Sequence, residues 1–271
     1  MDSPSLLDVL KLEQIEQDIY RANLVVDEDR SLYGGQVAAQ ALLAAGLTVD
    51  PGRPPHSLHG YFLRAGDPAI PTVFQVFRDR DGGSFSARRA VAIQRGEVIL
   101  NMSASFHRPD ESPDAQSELM PDAGPPGTGR PFTFPRLFSI EAMLPPQPFD
   151  GLPWPTRFWA RSTAPLPPGD LLHACALTYL SDISTGVLPS ADGQTWPGAS
   201  LDHSVWFHHP VDMNGWTLSD YHPQRAGGGR GWYTGSMFTP DGTLVASIAQ
   251  ETLFRGARPA RPKASAASTG S

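Results

Sequence analysis

A chain of 271 residues, 40% hydrophobic and 18% charged, is long enough for one large domain or two small ones and has the balance of a soluble globular protein. Its net charge of −7 argues against a general nucleic-acid binder, which would carry a basic stripe, yet leaves room for an anionic ligand held by a few local arginines. The lone cysteine, Cys175, excludes an intramolecular disulfide framework, fits a reducing compartment, and reads as a small core residue because its neighbours are apolar.

Residues 10–21 mix polar and apolar side chains without a decisive period. Gly34-Gly35 then leads into Gln36-Val-Ala-Ala-Gln-Ala-Leu-Leu-Ala-Ala45, which stops at Gly46. Excess Ala and Leu with glycine just past the end predicts a helix, and the absence of charge predicts one buried on nearly all sides. Strands are predicted over 56–64, 71–78, 85–94 and 97–107. Residues 109–170 hold more than half of the chain's 28 prolines and read as a long irregular connection. Phe132, Phe134, Leu137, Phe138 and Trp154 give that segment apolar surface to pack on the rest. The alternation of Arg157-Phe-Trp-Ala-Arg161 predicts a first strand of the second half. An Ala/Leu helix over 171–180 and strands over 201–209, 216–221, 231–238 and 243–255 follow. Thr239-Pro-Asp-Gly242 is a turn in which Pro presets φ and Gly accepts φ > 0. The last residues, 258–271, have the composition of a disordered tail.

Each half thus reads as one buried helix followed by antiparallel strands, an internal repeat. The fold class expected is α+β: two antiparallel sheets, each wrapped around an Ala/Leu-rich helix, in a double hotdog. The N-terminal hotdog spans 1–108, the Pro-rich connection 109–153 and the C-terminal hotdog 154–257. Aligning Gly96 with Gly242 sets Ala104 opposite Gln250. Looser alignments set Asp182 opposite Ala45 and Ser200 near Pro55. All three polar additions lie in the second copy.

Tyr33-Gly-Gly-Gln-Val-Ala-Ala-Gln-Ala41, His56-Ser-Leu-His-Gly-Tyr-Phe-Leu-Arg-Ala-Gly-Asp67, Ser84-Phe-Ser-Ala-Arg-Arg89, Leu201-Asp-His-Ser-Val-Trp-Phe-His208 and Leu244-Val-Ala-Ser-Ile-Ala-Gln-Glu251 resemble the acyl-CoA thioesterase II family, as ordered blocks over roughly residues 8–255. The resemblance implies hydrolysis of acyl-CoA thioesters with no metal or redox cofactor. It also implies an Asp, a hydroxyl residue and a Gln acting together on a water: Asp182, Ser200 and Gln250. The usual hydroxyl residue of the family is threonine; serine keeps the hydroxyl but lacks the methyl that stiffens χ1.

Read from the residues themselves, Gln250 shares the apolar face of its strand with Ala246 and Ile248, where a structural amide bonded to backbone is the plain alternative. Asp182 ends the second helix, where a carboxylate opposes the helix dipole; a solvated helix-end residue is its plain alternative. Ser200 shares parity with Asp202, Ser204 and Trp206, so its own pattern reads as a surface position or the start of a strand. A water activated by Asp182 and oriented by Ser200 and Gln250 would attack the thioester carbonyl. Gly34 and Gly35, at a helix N-terminus, are candidate oxyanion donors, or else serve only a close approach of strand to helix. Asp202-His203-Ser204 holds the letters of a hydrolase triad, but adjacent strand residues face opposite ways. His203, His208 and His209 lack a ligand-spaced Glu or Cys and read as packing or surface residues, not a metal site. Arg88-Arg89 is not assigned to the CoA phosphates. The alternatives are a non-catalytic acyl-CoA-binding module and a hotdog hydratase or dehydratase. The expected partners are the acyl-CoA substrate and further copies of the chain in a homo-oligomer, with no nucleic acid and no membrane span. No secretory leader or peroxisomal tripeptide is recognisable, so the expected location is cytoplasmic.

Overall fold

The computed structural model describes residues 4–24, 30–152, 154–183 and 196–255; the tail expected over 258–271 lies outside them. A short helix α1 (Leu6–Val9), capped by Ser5, precedes a hairpin of β1 (Leu12–Glu16) and β2 (Ile19–Ala22). Helix α2 (Gly34–Gly46) is followed by β3 (Pro55–Phe62), β4 (Thr72–Asp81), β5 (Phe85–Gln94) and β6 (Glu97–His107). Then come β7 (Arg130–Phe132), β8 (Ile140–Leu144), β9 (Arg157–Ser162) and helix α3 (Asp170–Ser181). The chain continues through β10 (Trp196–Ser200), β11 (Asp202–Phe207), β12 (Thr217–Gly227), β13 (Arg230–Phe238) and β14 (Leu244–Arg255).

The strands form one antiparallel sheet in the order β1-β2-β4-β5-β6-β3-β11-β14-β13-β12-β9-β8-β7, with β10 pairing β14 to the side. This corrects the expectation of two separate sheets. At the seam, β3 and β11 pair through residues such as Leu58↔Val205 and His59↔Ser204, so each strand saturates the other's edge. Strand order runs outward from that seam in mirror fashion, with β6, β5 and β4 on one side and β14, β13 and β12 on the other. The proline-rich connection is more ordered than its composition implies. It contributes β7 and β8, which extend the second half beyond β9, and its Phe134 packs edge-on against Phe158. Residues 10–21, left without a period in sequence, form β1 and β2; most of β1 is exposed, so no alternation marks it.

Helices α2 and α3 lie antiparallel and in contact beneath the sheet, α2 also packing on β2 to β6. Their separation is set by glycine. A Cβ at Gly35 would stand 2.6 Å from the Tyr179 carbonyl oxygen, and one at Gly46 would stand 2.4 Å from a Leu171 methyl. Tyr33 Oη locks one end by donating to the Tyr179 carbonyl at 2.7 Å. All of α2 beyond Gly34 is buried, as its charge-free sequence requires. Cys175 is buried in the shared core, and burial pushes its thiol well above the ordinary range. Among the described residues, no helix is long and apolar enough to cross a membrane.

Candidate active site

Asp182 follows the last turn of α3 and is 3% exposed. Two side chains converge on one of its oxygens: Ser200 Oγ donates to Oδ1 at 2.7 Å, and Gln250 Nε2 donates to the same atom at 2.6 Å. Gln250 Nε2 also reaches Ser200 Oγ at 2.8 Å, which closes a triangle of carboxylate, hydroxyl and amide. A third donor is the backbone N–H of Gly35, in the first turn of α2. Asp182 therefore opposes the dipole of its own helix but sits at the positive end of the neighbouring one. Burial is the dominant influence and pushes its pKa up to about 6, while the bonds from Ser200, Gln250 and Gly35 pull the other way.

Each member arrives by a different local route. Gln250 alternates with the buried Ala246, Ile248 and Thr252 along β14, which aims it inward as its parity predicts. Ser200 ends β10, where the register with β14 shifts between Pro197 and Ser200. That irregularity breaks simple alternation, so parity with Asp202 and Ser204 misplaces it. The structure thus brings together Asp182, Ser200 and Gln250. Gly34 and Gly35 are adjacent to them, and the Gly35 N–H donates to Asp182. A Cβ at Gly34 would stand 2.3 Å from Asp182 Oδ2 and 3.0 Å from the Phe62 ring, so only glycine admits the carboxylate here.

The triangle opens on a cavity of about 810 Å³, with Gly34, Asp182 and Ser200 on its wall beside apolar Leu32, Val37 and Phe62. Arg30, Arg64 and Arg136 line the same space. Of the arginine pair in β5, Arg88 is buried and bonded to Thr48, Arg80 and Asp81, while Arg89 lies over Phe77. His208 bonds Ser247 and His209 bonds Asp114, both at the surface. No group of three His, Cys, Asp or Glu side chains suited to a metal ion occurs among the described residues.

His203 is the member that sequence reasoning set aside. It is buried beside Gln250, its Nδ1 bonded to Gln250 Oε1 and its Nε2 2.7 Å from Ser181 Oγ. The signal was present: His203 shares the inward parity of Leu201 and Val205. Burial lowers its pKa to about 4, so the ring is neutral.

A buried carboxylate and a hydroxyl on the wall of a partly apolar cavity, with an amide bonded to both from behind, form a site for a water-dependent hydrolase. Residues 26–107 match the acyl-CoA thioesterase N-terminal domain family, and residues 108–254 match the acyl-CoA thioesterase C-terminal domain family. Acyl-CoA thioesterase 2 of Haemophilus influenzae is 34% identical over 278 residues, 93% of this chain and 97% of that protein. A solved structure of an acyl-CoA thioesterase II from Mycobacterium marinum is 41% identical, with a TM-score of 0.78 over 95% of this chain and 99% of that one. An Alicyclobacillus acidocaldarius protein described as having the hot dog fold aligns with a TM-score of 0.70 at 19% identity, over 93% of this chain and 98% of that one, a likeness of fold alone. The chain is a hotdog-fold protein and belongs to the acyl-CoA thioesterase II family.

Proposed function

We propose that this chain hydrolyses acyl-CoA thioesters to a free acid and CoA with a water activated by Asp182 and oriented by Ser200 and Gln250. The observation that carries the reading is the convergence of Ser200 Oγ and Gln250 Nε2 on Asp182 Oδ1 at the cavity wall. With a pKa of about 6, Asp182 is mostly ionised at neutral pH yet basic enough to take a proton from water. The water attacks the thioester carbonyl carbon as Asp182 accepts its proton. The resulting tetrahedral oxyanion collapses with departure of the CoA thiolate, a good leaving group that takes up a proton. Ser200 and Gln250 restrict where the water sits, which is a proximity contribution. The first turn of α2 at Gly34, with Gly35 already committed to Asp182, is the proposed source of the oxyanion donor.

The apolar wall suits an acyl chain, and the arginines of the lining suit the phosphates of CoA. In this reading the two halves are two hotdog units, 1–108 and 154–257, joined by 109–153, and the second supplies the water-activating groups. The enzyme acts in the cytoplasm as a homo-oligomer; Tyr61 and Trp206, exposed on the two strands of the seam, support an interface on that face. Incubation with acyl-CoAs of graded chain length, with detection of free thiol, tests the activity. Release that disappears in Asp182→Asn supports the reading. Release at wild-type rate by that variant would remove Asp182 from the mechanism, and no release from any chain length by the wild type leaves the acyl-CoA-binding alternative.

A further inference from the structure

Gln250 works in the proposed site only if its amide presents nitrogen, not oxygen, to Asp182 and Ser200. An amide is nearly symmetric in shape, so packing alone does not choose between the two orientations. Something must hold the oxygen at the other end. Here that end meets His203, whose Nδ1 is bonded to Gln250 Oε1. A carbonyl oxygen only accepts, so Nδ1 must carry the proton. The ring, buried and neutral, then has a bare Nε2 that accepts from the Ser181 hydroxyl 2.7 Å away. Ser181 belongs to the last turn of α3, so the relay starts one residue before Asp182. The flipped amide would set Oε1 against the Asp182 carboxylate and, with the ring in this tautomer, Nε2 against the Nδ1–H.

The first half shows what the position holds when no amide needs orienting. Ala104, opposite Gln250 in the repeat, pairs across β3 and β6 with Leu58. Leu58 and His203 are both fully buried and both lie on the strands of the seam. An apolar cross-strand contact, Leu58 with Ala104, is thus replaced in the second half by a hydrogen-bonded one, His203 with Gln250. The two polar residues arrive together, as a unit.

From this geometry we infer that His203 is a positioning residue: its Nδ1–H fixes the Gln250 amide so that Nε2 faces Asp182 and Ser200. His203 does not line the cavity and acts through Gln250 alone. The inference rests on the site assignment proposed above. It is tested by steady-state thiol release and thermal melting of H203L, H203N, H203Q, Q250A and the double variant Q250A/H203L. Loss of orientation in H203L should lower kcat by about 10–100-fold with KM within about 2-fold of wild type. Asparagine places an amide N–H where Nδ1 was, so H203N should recover to within about 3-fold of wild type. Glutamine places its N–H nearer the site of Nε2, so H203Q should not. Because His203 acts through Gln250, Q250A/H203L should be no slower than Q250A. Wild-type kcat in H203L, or a full additional loss in the double variant, would overturn the positioning role. If H203L does not fold, equal activity of H203N and H203Q overturns it instead. Near-normal turnover by Q250A would bring down the site assignment as well, whereas a crippled Q250A beside an unimpaired H203L would remove His203 alone.

Discussion

At one end of the α2–α3 pair the last turn of α3 meets the first turn of α2; at the other the last turn of α2 meets the first turn of α3. The first end carries Asp182, bonded by Ser200, Gln250 and the Gly35 N–H. The second carries Gly46 under Leu171, then Thr48, whose carbonyl and hydroxyl accept from the buried Arg88 guanidinium. A cation at a helix C-terminus agrees with the dipole, and an anion there opposes it. The cross-strand layer differs in the same sense: Leu58 beside Ala104 in one half, His203 beside Gln250 in the other. Where every local preference agrees with the fold, the repeat is scaffold. Where a buried charge stands against burial and its own helix dipole, the proposed chemistry supplies a reason to keep it.

The largest expected effects separate those two ends. Asp182→Asn should lower kcat by about 10³-fold or more, the range of a lost general base. Its stability should not fall. Burial raises the Asp182 pKa from 3.8 to about 6, which disfavours the charged form by about 3 kcal/mol at neutral pH. The folded state favours the protonated acid, so that stabilisation is complete below pH 3.8 and is lost as pH rises through about 6. The neutral amide of the variant would escape the loss, though its nitrogen would replace one of the two acceptor oxygens that Ser200, Gln250 and Gly35 share. Denaturant melts should find the variant at least as stable as wild type at pH 8, with the difference shrinking toward pH 4. Arg88→Met should do the reverse. It strips donors from the buried Thr48 carbonyl and the part-buried Arg80 carbonyl and should cost about 2–4 kcal/mol while kcat stays within about 3-fold. A 100-fold loss of kcat in Arg88→Met without a stability change would break the division between the ends.

How much of this is legible in the sequence depends on the range of the interaction. The hairpin of β5 and β6 reads to the residue, because alternation is local and Arg95-Gly96, both at positive φ, make its turn. Helix α2 reads two residues short at its start and one at its end, since Gly34 and Gly35 are poor helix formers whose helical start is imposed by contact with α3. The pairing of β3 with β11 leaves no mark on either strand's pattern, so the sequence predicts two sheets where one exists. In the site, the inward parity of Gln250 is readable, and so is that of His203. That the two side chains meet, with Ser181 behind them, depends on three elements and is not.

A finer contrast uses the two glycines at the helix crossing. In Gly34→Ala the new methyl would fall 2.3 Å from Asp182 Oδ2, a carboxylate held by three donors that cannot retreat without breaking bonds. A loss in kcat of about 10–100-fold is expected, from misplacement on the scale of an ångström. In Gly46→Ala the methyl meets only the tip of the Leu171 side chain at 2.4 Å, which can turn aside. Overpacking of about 1–3 kcal/mol would be partly offset by the helix propensity of alanine, and kcat should hold within about 2-fold. Equal activity losses in the two variants, measured side by side by thiol release, would mean that helix spacing and not contact with Asp182 governs the rate.

The smallest effect expected within the site is that of Ser200→Thr. Threonine restores the residue type expected of the family, and its extra methyl stiffens χ1. That stiffness matters only if the hydroxyl lacks direction, and here it is already fixed from two sides, donating to Asp182 Oδ1 and accepting from Gln250 Nε2. Ser200→Thr should therefore change kcat by no more than about 3-fold, while Ser200→Ala, which removes the hydroxyl, should lower it by about 10–100-fold. A tenfold gain in Ser200→Thr would show that the triangle alone does not hold the serine. The second half would then be a catalytic copy whose hydroxyl is only loosely set, and its contrast with the scaffold half would narrow to Asp182 and Gln250.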